Sequence, residues 1–253
     1  MSASWRARIR AIALGVLLLA VWEAAARGLA LSALVLPPPS AVAAVLWRSL
    51  SAGQMGPHLW ATLTQLSLGL AAGGLIGFGA GLALHTWPAA RALLMPYVVI
   101  SQVVPKLALM PLFIVWFGFG LLPMVVVTAL ICFFPLLENT LLGLSQVPPE
   151  RLALFRMLGA TGWQTLRRLK LPTALPAILA GLRVAVVLAV VGAVVGEFIA
   201  ASRGLGALII AAQGTMDTPL MFAALVMVSA LGMAMYTAVL WLEKRLLAPY
   251  QDT

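Results

Sequence analysis

The fold class this sequence predicts is an all-α integral membrane protein of about six spans, and three observations predict it. Of its 253 residues, 63% are hydrophobic and only 9% charged, against about 45–50% and about 25% in soluble domains. Apolar stretches long enough to cross a bilayer recur along the chain. The basic residues gather between those stretches: six of the sixteen Lys and Arg fall between Arg151 and Arg183. That positive-inside pattern accounts for the net charge of +9, and no basic stripe with interleaved aromatics points to nucleic acid. Cys132 stands alone in an apolar run, which excludes a disulfide framework and suits a small buried hydrophobe.

Arg6, Arg8 and Arg10 precede the first apolar stretch as in a signal peptide. Glu23 and Arg27, at i, i+4, continue the helix beyond it, so an uncleaved first span is expected over Ile12–Leu31. The segment Val35-Leu-Pro-Pro-Pro-Ser40 cannot continue a helix, and Ser40 is placed to cap a short one running to Leu50. Span two, Ala61–Leu84, carries Gly69, Gly73, Gly77 and Gly81 on one face, which suits close helix contact in a core or across a dimer.

Span three, Leu93–Phe117, holds Lys106 beside Pro105 and before Pro111. A charge there needs protein or water around it, and the prolines predict a kink. Lys106 is therefore either a pathway residue that attracts anions or a structural lysine at the kink. Spans four, five and six are expected over Leu121–Leu144, Leu182–Ala201 and Leu220–Leu242. Glu138, near the inner end of span four, is available to the loop arginines. Glu197, near the outer end of span five, reads as a partner for Arg203 or as part of an outer gate. His58 and His85 lie at span ends and read as interfacial residues. An N-terminus inside the cell places Arg6, Arg8, Arg10, Arg91, the six loop cations, Lys244 and Arg245 inside. It leaves Arg27, Arg48 and Arg203 outside, so both termini are expected in the cytoplasm.

The loop between spans four and five, residues 145–182, has its own pattern. Pro148-Pro149 opens a helix with Leu152, Phe155 and Leu158 as an apolar stripe, and Gly159 suits a left-handed C-terminal cap. Thr161 and Gln164 form a capping box for a second helix. That helix puts Trp163, Leu166 and Leu169 on one side, with Arg167, Arg168 and Lys170 on the others. Pro172 and Pro176 are expected to break it before span five begins. Two short helices tied to spans at both ends make a lever for a soluble partner.

This loop resembles the EAA loop in the membrane subunits of binding-protein-dependent ABC importers. That pattern reads E-A-A, three residues, Gly, nine residues, a hydrophobic residue, any residue, then Leu-Pro. Gly159 followed by Ala160, then Leu169 and Leu171-Pro172, stand at those offsets. Leu36-Pro37 with Pro39, the string from Pro105 to Gly120, and Gly196-Glu-Phe with Gly204-Leu-Gly206 are similar to the nitrate, sulfonate and taurine permease branch, which includes thiamine-precursor systems. One departure stands out: the E-A-A positions read Ala153-Leu154-Phe155, so the glutamate is missing. Glu150, one turn earlier on the same helical face, is the candidate to replace it.

The resemblance implies a non-catalytic permease subunit, residues 1–253 forming a single transmembrane domain in a bacterial inner membrane. Its partners would be a second permease copy, two ATP-binding subunits and a periplasmic or lipid-anchored solute-binding protein. The ATPase-coupling residues would be Glu150, Ala153, Phe155, Leu158, Gly159, Ala160, Leu169, Leu171 and Pro172, with Lys106 and Glu197 as candidate pathway residues. No cofactor is expected on this chain, and it carries no Gly-x4-Gly-Lys-Ser/Thr phosphate loop. The alternative is a secondary transporter or channel, which would call for visible repeats or several intramembrane carboxylates. No constellation for an intramembrane enzyme occurs.

Overall fold

The computed structural model describes residues 3–28 and 34–251. Eleven α-helices make up the described residues: α1 (Ala3–Gly28), α2 (Pro39–Ser51), α3 (Met55–Thr86), α4 (Pro88–Val103), α5 (Met110–Phe117), α6 (Leu121–Ser145), α7 (Pro149–Met157), α8 (Gly162–Thr165), α9 (Leu171–Ala200), α10 (Leu205–Gly214) and α11 (Thr218–Gln251). A 3₁₀ turn, Lys106–Leu109, precedes α5, and a π turn, Leu166–Lys170, joins α8 to α9.

Among the described residues, five stretches are helical, long and apolar enough to cross a membrane: Ile9–Gly28, Met55–Thr86, Leu121–Ser145, Gly162–Ala200 and Thr218–Ala248. A sixth crossing arises if Pro88–Val103 and Lys106–Phe117 count as one broken span. The first expected span ran to Leu31; residues 29–31 lie outside the described residues, as do the side chains of Arg6 and Arg8.

The centre is a trio of α3, α6 and α9. Leu66, Cys132, Leu136, Ala185, Ala189 and Ala193 form its core, and Cys132 is fully buried as expected. The glycines of α3 bring this trio together. A methyl at Gly73 would collide with the Ala129 carbonyl, and one at Gly77 with that of Phe133. At Gly69 it would lie 2.5 Å from Thr128 Cβ and at Gly81 2.7 Å from Thr140 Cβ. Every one of these neighbours belongs to α6, so the glycine face serves packing within the chain. Gly181 of α9 meets Asn139 of α6 in the same manner, 2.7 Å from a built Cβ to Asn139 Cβ.

The kink expected in span three is present: its two halves meet at 83° across the Val104-Pro105 break. Two other local expectations are corrected. Ser40 is not the cap of the short helix, which starts at Pro39 with proline in its first turn. Instead the Ser40 N–H and hydroxyl donate to Glu23, at 3.0 and 2.8 Å. Glu23 also pairs with Arg27 at 2.6 Å, so a single carboxylate ties α1 to α2.

Pro172 and Pro176 do not end the second loop helix, which continues without interruption from Gly162 to Ala200. The π turn absorbs the first proline: Leu171 N–H reaches back to the Leu166 carbonyl, and the Thr173 hydroxyl satisfies that of Leu169 at 2.8 Å. Pro176 is carried through because Ala174, Leu179 and Gly181 are buried on either side of it. Tertiary packing outweighs the local cost of the proline.

Candidate functional site

At one end of the bundle, α7 and α8 form an elbow between α6 and α9. Its bend is closed by local hydrogen bonds. Gly159 has φ +68°; its N–H bonds to the Arg156 carbonyl and the Ala160 N–H to that of Phe155, both at 3.0 Å. These are the two bonds of a Schellman cap. Thr161 Oγ1 then accepts from Gln164 N at 3.2 Å, while Gln164 Oε1 accepts from Thr161 N at 2.8 Å. The expected capping box is present.

The elbow has a buried side and a bare side. Leu166 and Leu169 are buried, Leu166 packing with Leu144 and Ala174, and Leu171 lies partly buried against them. Leu152 and Phe155 are half-buried, whereas Glu150, Ala153 and Gly159 are exposed. Trp163 does not share the burial of Leu166 and Leu169, although it borders a small cavity with Leu166. It is 65% exposed, alongside Leu154 at 53%, Met157 at 85% and Leu158 at 72%. These four apolar side chains form an exposed tip on a helix pair closed by two caps. Lys170 Nζ donates to His85 Nε2 at 2.8 Å, pinning the elbow to the end of α3. Sequence reasoning left that histidine as a plain interfacial residue.

Opposite the elbow, the expected Glu197–Arg203 pair is not formed. Glu197 is 1% exposed and turned inward. It accepts from Thr62 Oγ1 at 2.7 Å and from Gly206 N–H at 2.6 Å. Thr62 Oγ1 in turn accepts from Leu205 N–H at 2.8 Å, and His58 Nδ1 lies 2.9 Å from the Gly204 carbonyl. The carboxylate thus joins α3, α9 and the start of α10. Glu138 is exposed and forms no ion pair among the described residues; Arg183 pairs with Glu243 at 3.4 Å instead.

Beside this network lies a cavity of about 710 Å³, lined among others by Trp60, Gln65, Phe119, Ile199, Ser202 and Arg203. Lys106 is elsewhere. Its Nζ donates to Gln102 Oε1 at 2.9 Å, and it lines a second cavity of about 370 Å³ with Phe134, Pro135 and Leu188. The two candidate pathway residues therefore occupy different places. Helix α6 starts at the first cavity and ends at the elbow, and its 25 residues separate them by about 37 Å.

Comparison with known proteins agrees with this architecture. A family model described as the inner membrane component of binding-protein-dependent transport systems matches residues 73–248. A riboflavin transport system permease from Chloroflexus aurantiacus is 39% identical over 217 residues, 84% of this chain and 79% of that protein. A formylaminopyrimidine transport permease from Halalkalibacterium halodurans is 37% identical over 190 residues, 75% and 76% of the two chains. The taurine transport permease of Escherichia coli is 33% identical over 218 residues, 83% and 78% of the two chains. In three dimensions the chain overlays on an inward-facing methionine ABC transporter with a TM-score of 0.64 at 22% identity, covering 75% of this chain and 94% of that one; at that identity the likeness shows the fold. The capped elbow between α6 and α9, the helical trio above it and the match over residues 73–248 place this chain among the inner-membrane components of binding-protein-dependent transport systems, as the membrane-spanning permease subunit of an ABC importer.

Proposed function

We propose that two copies of this chain form the pathway for a small organic solute, with the elbow and both termini in the cytoplasm. A separate ATPase subunit supplies the hydrolysis. The solute reaches the opposite face on a binding protein, and the relatives' names point to riboflavin, pyrimidine, taurine or sulfonate-like cargo.

The observation that carries this reading is the apolar tip of Leu154, Met157, Leu158 and Trp163, held on an elbow closed by two caps. A motor domain that grips the tip moves α6 and α9 together, because the elbow is their only covalent connection and Leu166 and Leu169 are buried at their base. The glycine-packed trio then carries the displacement to the far cavity as a rigid body. Apolar contact at the tip takes the place of the glutamate missing at Ala153. Lys106 serves as a polar station at the broken span, and Glu197 serves as a strut that locks α3 to α9 and α10.

The test is labelling of Met157→Cys by a membrane-impermeant maleimide. Reaction is expected in inverted vesicles and protection when the ATPase subunit is bound; Cys132 is buried and stays silent. Labelling from the outer face of intact cells would overturn the proposed orientation, and unaltered labelling in the assembled transporter would overturn the coupling role.

A further inference from the structure

We propose that the outer cavity is a solute site for a flat, fused-ring nitrogen heterocycle, neutral or anionic, rather than for an ammonium-bearing solute. This deepens the permease reading and rests on it. The volume of about 710 Å³ is that of a small-molecule site, which typically spans about 300–1,000 Å³. It exceeds what a two-carbon solute needs.

Its walls are ready for stacking. Trp60 and Phe119 both line the cavity, are 69% and 80% exposed, and neither ring has an aromatic partner among the described residues. Phe119 stands between Gly118 at φ +76° and Gly120 at φ +131°, backbone conformations that favour glycine on both sides of it. Flat π-faces meet such rings in offset or edge-on contact.

The floor selects a donor. Gln65 is 1% exposed, and its Nε2 donates to the Ala193 carbonyl at 3.1 Å. A carbonyl accepts only from the NH₂ end of an amide, so that bond fixes which way the side chain faces. The amide oxygen is left as an acceptor with no hydrogen-bond partner among the described residues, on a side chain that lines the cavity. It calls for an N–H on the edge of the ligand.

The rim selects charge. Arg203 lines the cavity, is exposed, and makes no hydrogen bond or ion pair among the described residues. Its guanidinium suits a carbonyl or an anionic substituent. No carboxylate answers it from the cavity wall. Glu197, the nearest acid in sequence, is turned away onto Thr62 and Gly206. A cationic amine would therefore face Arg203 with no counter-charge.

The experiment uses the full permease assembled with its ATPase in lipid nanodiscs, and equilibrium binding of riboflavin, flavin mononucleotide and xanthine, with taurine as competitor. Saturable binding of at least one heterocycle is expected, undiminished by taurine. Trp60→Ala should weaken it about tenfold, the scale of one lost stacking contact, and Trp60→Phe should largely restore it. Gln65→Leu should weaken every heterocycle. Arg203→Ala should remove an advantage of about fivefold for flavin mononucleotide over riboflavin, the upper range for an exposed ion pair. Binding of none of the three heterocycles overturns the assignment, as does equal competition by taurine or binding indifferent to Trp60→Ala. If the ATPase still co-purifies in that case, the site fails and the permease reading stands. Loss of ATPase association would sink the permease reading itself.

Discussion

Thr62 Oγ1 donates to Glu197 Oε1 at 2.7 Å across 135 residues of sequence. The same hydroxyl takes the N–H of Leu205 at 2.8 Å, and the other carboxylate oxygen takes that of Gly206 at 2.6 Å. The first backbone N–H groups of α10, which have no partners within their own helix, are thereby satisfied inside the bundle. Glu197→Ala strips the Gly206 N–H of its acceptor and leaves the Thr62 hydroxyl only the His58 carbonyl, at 3.2 Å; at a site with 1% exposure an orphaned group costs about 1–3 kcal/mol. A lowered thermal midpoint in detergent is expected, with Glu197→Gln intermediate. Combined with Thr62→Val, Glu197→Ala should cost clearly less than the sum of the two single changes, because both break one network. Strict additivity would show that the two residues act independently.

The glycine face of α3 offers a sharper contrast. Gly73→Ala drives a methyl into the Ala129 carbonyl, while Gly79→Ala meets nothing within 4 Å. Backbone cannot yield as a flexible side chain can, so Gly73→Ala should destabilise the protein by about 1–3 kcal/mol. Gly79→Ala should be neutral. Thermal unfolding of the two variants side by side reads this directly, and equal midpoints would contradict the packing described.

What the sequence disclosed follows the range of the physics involved. The caps at Gly159 and at Thr161 with Gln164 were legible because a left-handed turn and a capping box depend on residues within one turn of each other. The break near Pro105 was legible for the same reason. Pro172 and Pro176 misled, since the rule that proline ends a helix is local, whereas the π turn before Pro172 and the packing around Pro176 are not. Pairing Glu197 with Arg203 was the default for two opposite charges close in sequence. It failed because Gly206 N–H and Thr62, on elements that only the fold brings together, hold the carboxylate first. The cavity of Trp60, Gln65 and Arg203 is drawn from α3 and the segment after α9, and no periodicity marks it.

At the elbow, Gly159 has φ +68° and open space around it, so substitution there acts through backbone strain alone. Gly159→Val is expected to cost about 1–2 kcal/mol or more locally and to unseat the Schellman cap. Coupled uptake should fall while the ATPase continues to hydrolyse ATP in the assembled complex. Gly162→Ala, also in open space and without a positive φ, is the control and should transport normally. Coupled uptake by Gly159→Val at the native ratio of solute to ATP would remove the elbow from the mechanism.

Lys106 distinguishes a station on the pathway from a strut at the kink. Its ammonium donates to Gln102 across the break between α4 and the 3₁₀ turn, and it lines a cavity with Phe134 and Leu188. Glutamine at this position retains a donor but loses the charge; methionine loses both. For a strut, stability would follow the donor, so Lys106→Gln would behave as native and Lys106→Met would unfold earlier. For a station, uptake follows the charge. The expected outcome is that both variants keep a native thermal midpoint and transport anionic solute more slowly, whereas Lys106→Arg retains most of the rate. A charge at membrane depth is retained only where water or protein surrounds it, and the 370 Å³ cavity supplies that surrounding. Loss of stability that tracks the donor, with uptake unaffected by Lys106→Gln, would assign Lys106 to the kink alone.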